Sequence, residues 1–161
     1  MNTGLLFYLA HRTSLCQKKI RAFISIYDIT IASTKVCAKP ADLNPAMAKL
    51  IANHSIVFAV SESQGCRPDC AAGLFQTLHI PLDEQGEPRG VLQLHGEHKT
   101  GYLIESLNQA IVVLPDIPEE IVQMLPTACE KLKQKFGLSG ELPVETIIPY
   151  EELIQNAMNN K

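Results

Sequence analysis

Ser55-Ile56-Val57-Phe58-Ala59-Val60-Ser61-Glu62-Ser63-Gln64-Gly65-Cys66-Arg67-Pro68-Asp69 is the stretch whose reading decides the fold. The apolar run Ile56 to Val60 lacks the polar alternation of a half-exposed strand and predicts one buried on both faces of a sheet. The polar loop from Ser61 to Cys66 hands over to a helical pattern from Asp69 to His79, packing through Leu74, Phe75 and Leu78. In an open parallel sheet such a strand-to-helix turn lies at the carboxyl ends of the strands, where small ligands bind. A glycine-rich turn at this place would cradle phosphate, because glycines let backbone N–H groups approach the anion at a helix N-terminus. This loop has one glycine, Gly65, and an acid, Glu62. The scaffold predicts a ligand site while its residues argue against a phosphate.

Working outward, Leu5 to Ala10 predicts a first strand and Ser14 to Phe23 a helix. Asp28 to Ala38 is a strand rich in β-branched residues, and Asn44 to Ala52 is a helix. Pro45, directly after Asn44, predicts a first-turn proline behind a capping side chain. Downstream, Asp83 to Gly90 is a turn-rich exposed loop and Val91 to Leu94 a short strand. Tyr102 to Glu105 and Ala110 to Leu114 form a hairpin joined through Ser106-Leu107-Asn108-Gln109. Pro118 to Phe136 is the longest amphipathic helix, ended by Gly137. Three βα units followed by a hairpin and a helix predict a three-layer αβα fold with a mostly parallel sheet. Residues 1–138 then form a single α/β domain; 139–161 form a linker and a short helix, Tyr150 to Met158.

The 161 residues suffice for one well-cored domain, and 46% hydrophobic with 19% charged residues is ordinary for a globular protein. No segment is long and apolar enough to span a bilayer, and Met1 to Ala10 lacks the basic region and length of a signal peptide. The formal charge of −3 with scattered basic residues disfavours nucleic acid as a partner. Five cysteines, an odd number spread along the chain, fit reduced thiols and a cytoplasmic location better than a disulfide framework.

Several clusters invite a chemical reading beside a plainer one. The loop Ser61 to Cys66 offers hydroxyls, an amide and a flexible backbone position to a ligand, or merely connects a strand to a helix. Cys66, Cys70, His95 and His98 contain the ligand types of a zinc site, but the two pairs are far apart in sequence; Cys70 then reads as a small apolar residue on the inner side of its helix. Ser61 and Ser63 lack the Gly-x-Ser-x-Gly setting of a hydrolase nucleophile. Asp69 opens a helix, where a cap, a metal-holding carboxylate and a general base all fit. In Leu114-Pro115-Asp116-Ile117-Pro118-Glu119-Glu120 two prolines fix φ around a second strand-to-helix turn, and acids sit favourably against the helix dipole.

With both turns in view, the chain resembles the molybdopterin-binding domain shared by molybdenum-cofactor biosynthesis proteins of the MoaB and MogA type and the N-terminal domain of CinA-type proteins. In that family the third strand runs into Thr-Thr-Gly-Gly-Thr-Gly, with an Asp soon after; here Ala59-Val60-Ser61-Glu62-Ser63-Gln64 fills the pattern without a gap, and Asp69 falls on the acidic position. Leu114-Pro115-Asp116-Ile117-Pro118 matches the family's Leu-Pro-Gly-x-Pro, and Thr100-Gly101-Tyr102 looks like the turn preceding its hairpin. The resemblance, over about 130 residues, implies a site built from Ser61, Glu62, Ser63, Gln64, Gly65, Thr100, Gly101, Pro115, Asp116 and Pro118. It implies Asp69 as the catalytic and Mg²⁺-holding residue of an active member, molybdopterin or a nucleotide as ligand, and a homo-oligomer, a trimer before a dimer. The departures are specific: glycines of the family's cradle become Ser61, Glu62 and Gln64, and the glycine of its second loop becomes Asp116. Carboxylates there would repel phosphate in a dry pocket. The expected function is a divergent domain that binds a pterin- or nucleotide-type ligand or a protein partner without catalysis. The alternatives are a Mg²⁺-dependent nucleotidyltransferase or pyrophosphatase, and a structural oligomer-forming subunit.

Overall fold

The structure, a computed structural model, describes residues 1–63 and 71–140. Among the described residues, six strands form one sheet: β1 (Asn2–Tyr8), β2 (Thr30–Cys37), β3 (Ile56–Ser61), β4 (Leu92–His95), β5 (Thr100–Glu105) and β6 (Ala110–Pro115). Their spatial order is β2-β1-β3-β6-β5-β4. The pairs β1–β2, β1–β3 and β3–β6 are parallel, while β5 runs antiparallel to both β6 and β4. The helices are α1 (Thr13–Ile24), α2 (Leu43–Asn53), α3 (Ala71–Thr77) and α4 (Pro118–Phe136). The result is a mixed, mostly parallel sheet with helices on both faces.

All six residues of β3 are buried, because β1 and β6 flank the strand and helices cover both faces. Leu5, Phe7, Phe58, Val60, Val112 and Leu114 pack under α1 and α4. Leu6, Val57, Ala59 and Val113 pack on the other face beneath α2 and α3. Alternate residues of one strand thus feed two different cores, which is why the apolar run has no polar break.

Four local readings change. Strand β1 starts at Asn2, three residues before Leu5, because Asn2, Thr3 and Gly4 already pair with β2. Helix α2 begins at Leu43 behind the 3₁₀ turn Pro40–Asp42, so Asn44 does not cap it. Pro45 is tolerated in the first turn because the N–H it lacks would have no intrahelical partner there, and Asn44 Oδ1 instead accepts a hydrogen bond from Thr77 Oγ1 at 2.7 Å. Thr100 and Gly101 belong to β5 and pair with His95 and Leu94 rather than forming a turn; the turn is residues 96–99. The apolar strand material around Ala110 to Leu114, which by sequence alone could serve self-association, is wholly buried as β6 between β3 and β5 and fills the chain's own core.

Helix α4 has the predicted bounds, and Gly137 closes it with φ 66° and a bond from its N–H to Lys133 O. The expected start of α3 at Asp69 and the expected C-terminal helix from Tyr150 to Met158 lie outside the described residues.

Candidate functional site

The strand directions collect five connections at one end of the sheet. The residues after β1, β2, β3 and β6 lie there, together with the β4–β5 turn at 96–99. Between β1 and β3 the chain leaves in opposite senses, since α1 belongs to one face and α3 to the other. Such a switch point opens a crevice at the carboxyl edge of the sheet.

Asp116 occupies this crevice. The residue is 2% exposed. Oδ2 accepts the backbone N–H of His11 at 2.7 Å, and Oδ1 accepts both the N–H of Ser63 at 3.3 Å and the hydroxyl of Ser63 at 3.0 Å. One carboxylate thereby ties together the loops after β1, β3 and β6. The turns around Ser63 and Asp116, expected to share a cleft, are in direct contact. Three donors satisfy a buried charge that would otherwise be costly, each charge-assisted bond being worth about 1.5–3 kcal/mol.

A rim of charged groups surrounds it. His11 Nε2 lies 3.4 Å from Glu62 Oε1, and Arg12 Nη1 lies 3.8 Å from Glu119 Oε2. Lys99 Nζ donates to the carbonyl of Ser63 at 2.7 Å, so the β4–β5 turn is held onto the loop after β3. Behind that turn, Glu120 Oε1 accepts the N–H of His98 at 2.7 Å, and a Cβ on Gly96 would overlap Glu120 Oε2. Glu120 therefore positions the segment that carries Lys99. Beneath the crevice, burial pushes the Cys16 thiol up to about 11, with the Asp116 charge adding to the effect. That thiol is protonated near neutrality and is no nucleophile.

Of the residues singled out in the sequence, Ser61, Ser63, Gly101, Pro115, Asp116 and Pro118 are buried, whereas Glu62 and Thr100 keep exposed surface. Gly101 serves packing: a Cβ there would lie 2.6 Å from Val113 O and 2.8 Å from Met124 Sδ. Gln64, Gly65, Asp69, Cys66 and Cys70 lie outside the described residues. His95 and His98 are exposed, and among the described residues no group of three or more His, Cys, Asp or Glu side chains could hold a metal ion. Reading the sequence missed His11, Arg12 and Lys99. The signal was available for the first two, which directly follow a buried strand at the same edge as Ser61.

The sequence matches no family model, and no curated protein sequence is similar to it. The fold has clear counterparts. The protein CinA, of unknown function, from Thermoplasma acidophilum superposes with a TM-score of 0.62 at 13% identity, covering 81% of this chain and 96% of that one. The molybdopterin biosynthesis enzyme MoaB from Thermus thermophilus superposes with a TM-score of 0.57 at 14% identity, covering 87% of this chain and 99% of that one. The chain has the α/β fold common to MoaB and CinA, as the two loop motifs implied. No described helix is long and apolar enough to cross a membrane.

Proposed function

We propose that this chain is a non-catalytic binding domain built on the MoaB and CinA fold, which receives the ring portion of a pterin- or nucleotide-type ligand at its carboxyl edge and does not hold a phosphate there. One observation carries the reading. The carboxylate of Asp116 already takes the N–H of His11 and the N–H and hydroxyl of Ser63, the donors that an incoming anion would need. A tethered carboxylate competes at high effective concentration and puts a fixed negative charge where a phosphate would lie. Glu62 and Glu119 add acidic groups at the rim, each facing a base of its own chain.

Calorimetric titration with nucleotides and pterin phosphates, with and without Mg²⁺, tests this reading. Weak binding that is indifferent to Mg²⁺ is expected, with the unphosphorylated pterin or nucleoside binding at least as well as its phosphate. Micromolar, Mg²⁺-dependent binding of the phosphates would instead support the enzyme alternative, in which Asp69 holds the metal.

Self-association belongs to the same proposal. Leu82 and Leu92 are 41% and 40% exposed and flank the loop at 83–90, beside the short edge strand β4. That loop is held to the sheet by a 2.9 Å hydrogen bond from the Tyr102 hydroxyl to Glu87 Oε2. A homotrimer through this edge would give a constant mass of three chains by light scattering across a low-micromolar dilution series. A mass of one chain throughout would rule it out.

A further inference from the structure

A cavity of about 600 Å³ opens between α2 and α3, on the sheet face opposite α1 and α4. It is lined by Tyr8 at the end of β1, by Leu43 and Asn44 at the start of α2, and by Gly73, Thr77 and His79 of α3 and its closing turn. The volume is that of a small-molecule site. It starts at the same carboxyl edge as the crevice, since Tyr8 pairs with Ser61 and its carbonyl accepts the N–H of Glu62. Two local rules are broken around it. Gly73 stands inside α3, where alanine would favour the helix. A Cβ there would lie 3.2 Å from Cε2 and Oη of Tyr8, so the bare glycine lets the phenol ring lie against the helix as a wall of the cavity. At the other end of α3, His79 adopts φ 57°. Ile80 N–H bonds to Phe75 O at 2.9 Å and His79 N–H to Gln76 O at 3.1 Å, the two bonds of a Schellman closure whose left-handed position ordinarily takes glycine. Departures of this kind gather at functional sites.

The cavity also carries one oriented polar group. Thr77 Oγ1 donates to Asn44 Oδ1 at 2.7 Å. That bond turns the amide oxygen to α3, so the group that Asn44 offers to the cavity is its Nδ2, with two donor hydrogens. Beside it stand the ring of Tyr8, the aliphatic side chain of Leu43 and the imidazole of His79. Aromatic and aliphatic walls with a few placed polar groups suit a flat ring, and the neutral side chains of Tyr8, Leu43, Asn44 and Thr77 offer no countercharge to a phosphate. We propose that this cavity seats the ring of the ligand, and that it takes an oxo-heterocycle of the guanine or pterin kind, whose ring carbonyl accepts a hydrogen bond from Asn44 Nδ2. Adenine presents an amino donor where guanine has that carbonyl. Two donors facing one another leave both without a partner, which is how a placed donor rejects the wrong ring. The proposal rests on the reading of the chain as a ring-binding domain and adds where the ring lies and which side chain selects it. From here the remainder of the ligand reaches the crevice past the end of β1.

NMR titration of the full chain with guanosine, neopterin and adenosine tests the proposal. Guanosine and neopterin should shift the amides of residues 43–44 and 73–79 and bind about fivefold tighter than adenosine, the worth of one net hydrogen bond. Asn44→Ala and Thr77→Val should each weaken guanosine by about the same factor, while leaving adenosine affinity and the thermal unfolding midpoint close to those of the parent. Thr77→Val is the sharper variant, because it keeps the side-chain shape and removes only the hydroxyl that orients the amide. Ring binding whose shifts are confined to His11, Ser63 and Asp116 overturns the proposal and leaves the functional reading standing. Equal affinity for adenosine, or guanosine binding that survives both substitutions unchanged, does the same. Micromolar, Mg²⁺-dependent binding of the phosphates with shifts still centred on residues 43–44 and 73–79 overturns the functional reading and supports this placement of the ring. Failure of guanosine and neopterin to bind at all overturns both.

Discussion

Replacing Glu62 and Asp116 together by glycine should convert the domain into an anion binder, raising its calorimetric affinity for pyrophosphate at least tenfold over the parent chain. Removing the Asp116 carboxylate leaves the N–H groups of His11 and Ser63 and the Ser63 hydroxyl facing an emptied crevice. Buried donors without partners are costly, and a phosphate oxygen is the acceptor that suits them. Removing Glu62 frees the His11 ring, 3.4 Å away, to act as a further donor at the rim. The same change carries a stability cost. Losing one buried carboxylate and its three hydrogen bonds should lower unfolding stability by about 3–5 kcal/mol. Millimolar phosphate should restore part of that loss in the variant and none in the parent, because ligands stabilise only the state that binds them. A folded variant whose anion affinity is unchanged would count against the electrostatic account.

Gly101→Ala should be among the most damaging single-methyl additions in the chain, costing about 2–3 kcal/mol in chemical denaturation. The added carbon would meet Val113 O at 2.6 Å and Met124 Sδ at 2.8 Å. The methionine can turn away, but Val113 belongs to β6, whose position is fixed by β3 on one side and β5 on the other. The outcome separates two roles for this glycine. A packing role predicts a large stability loss at any ligand concentration. A ligand-contact role predicts a stable protein with altered binding, and a loss below about 0.5 kcal/mol would favour it.

Much of the architecture was legible because it rests on local periodicity. The unbroken Ile56 to Val60 run could only be a strand covered on both faces, and Pro118 with Gly137 marked both ends of α4. Misreadings arose where tertiary contacts overrule a local signal. Asn44 has the chemistry of a cap but spends its oxygen on Thr77, 33 residues away. Thr100-Gly101 has the composition of a turn but is drawn into β5 by its pairing with β4, and the absent side chain of Gly101 lets β5 approach β6 and α4.

The site was half legible. The candidate position was read from a strand-to-helix turn at the carboxyl end of a parallel strand, and the acids at 62 and 116 stood out against the glycines of the resembled motifs. The partners of Asp116 could not be. His11 and Ser63 lie 105 and 53 residues from it in sequence, and nothing in either neighbourhood announces that their backbone amides converge. Asp116 was expected to repel phosphate in a dry pocket; it is 2% exposed, and its carboxylate is already engaged by the loops after β1 and β3. Lys99 was missed for the same reason, since its bond to Ser63 O depends on a turn held from behind by Glu120.

The central claim is that the Asp116 carboxylate holds the amides of His11 and Ser63 and so keeps anions out. Scalar couplings through these hydrogen bonds, from the backbone nitrogens of His11 and Ser63 to the Asp116 Cγ, test it most directly when recorded during a pyrophosphate titration. Both couplings should be present in the parent chain, the His11 coupling being the larger at its 2.7 Å separation against 3.3 Å for Ser63. They should persist unchanged into millimolar pyrophosphate. Couplings that vanish at micromolar pyrophosphate, with both amide resonances moving together, would show that an anion displaces Asp116 and would contradict the account.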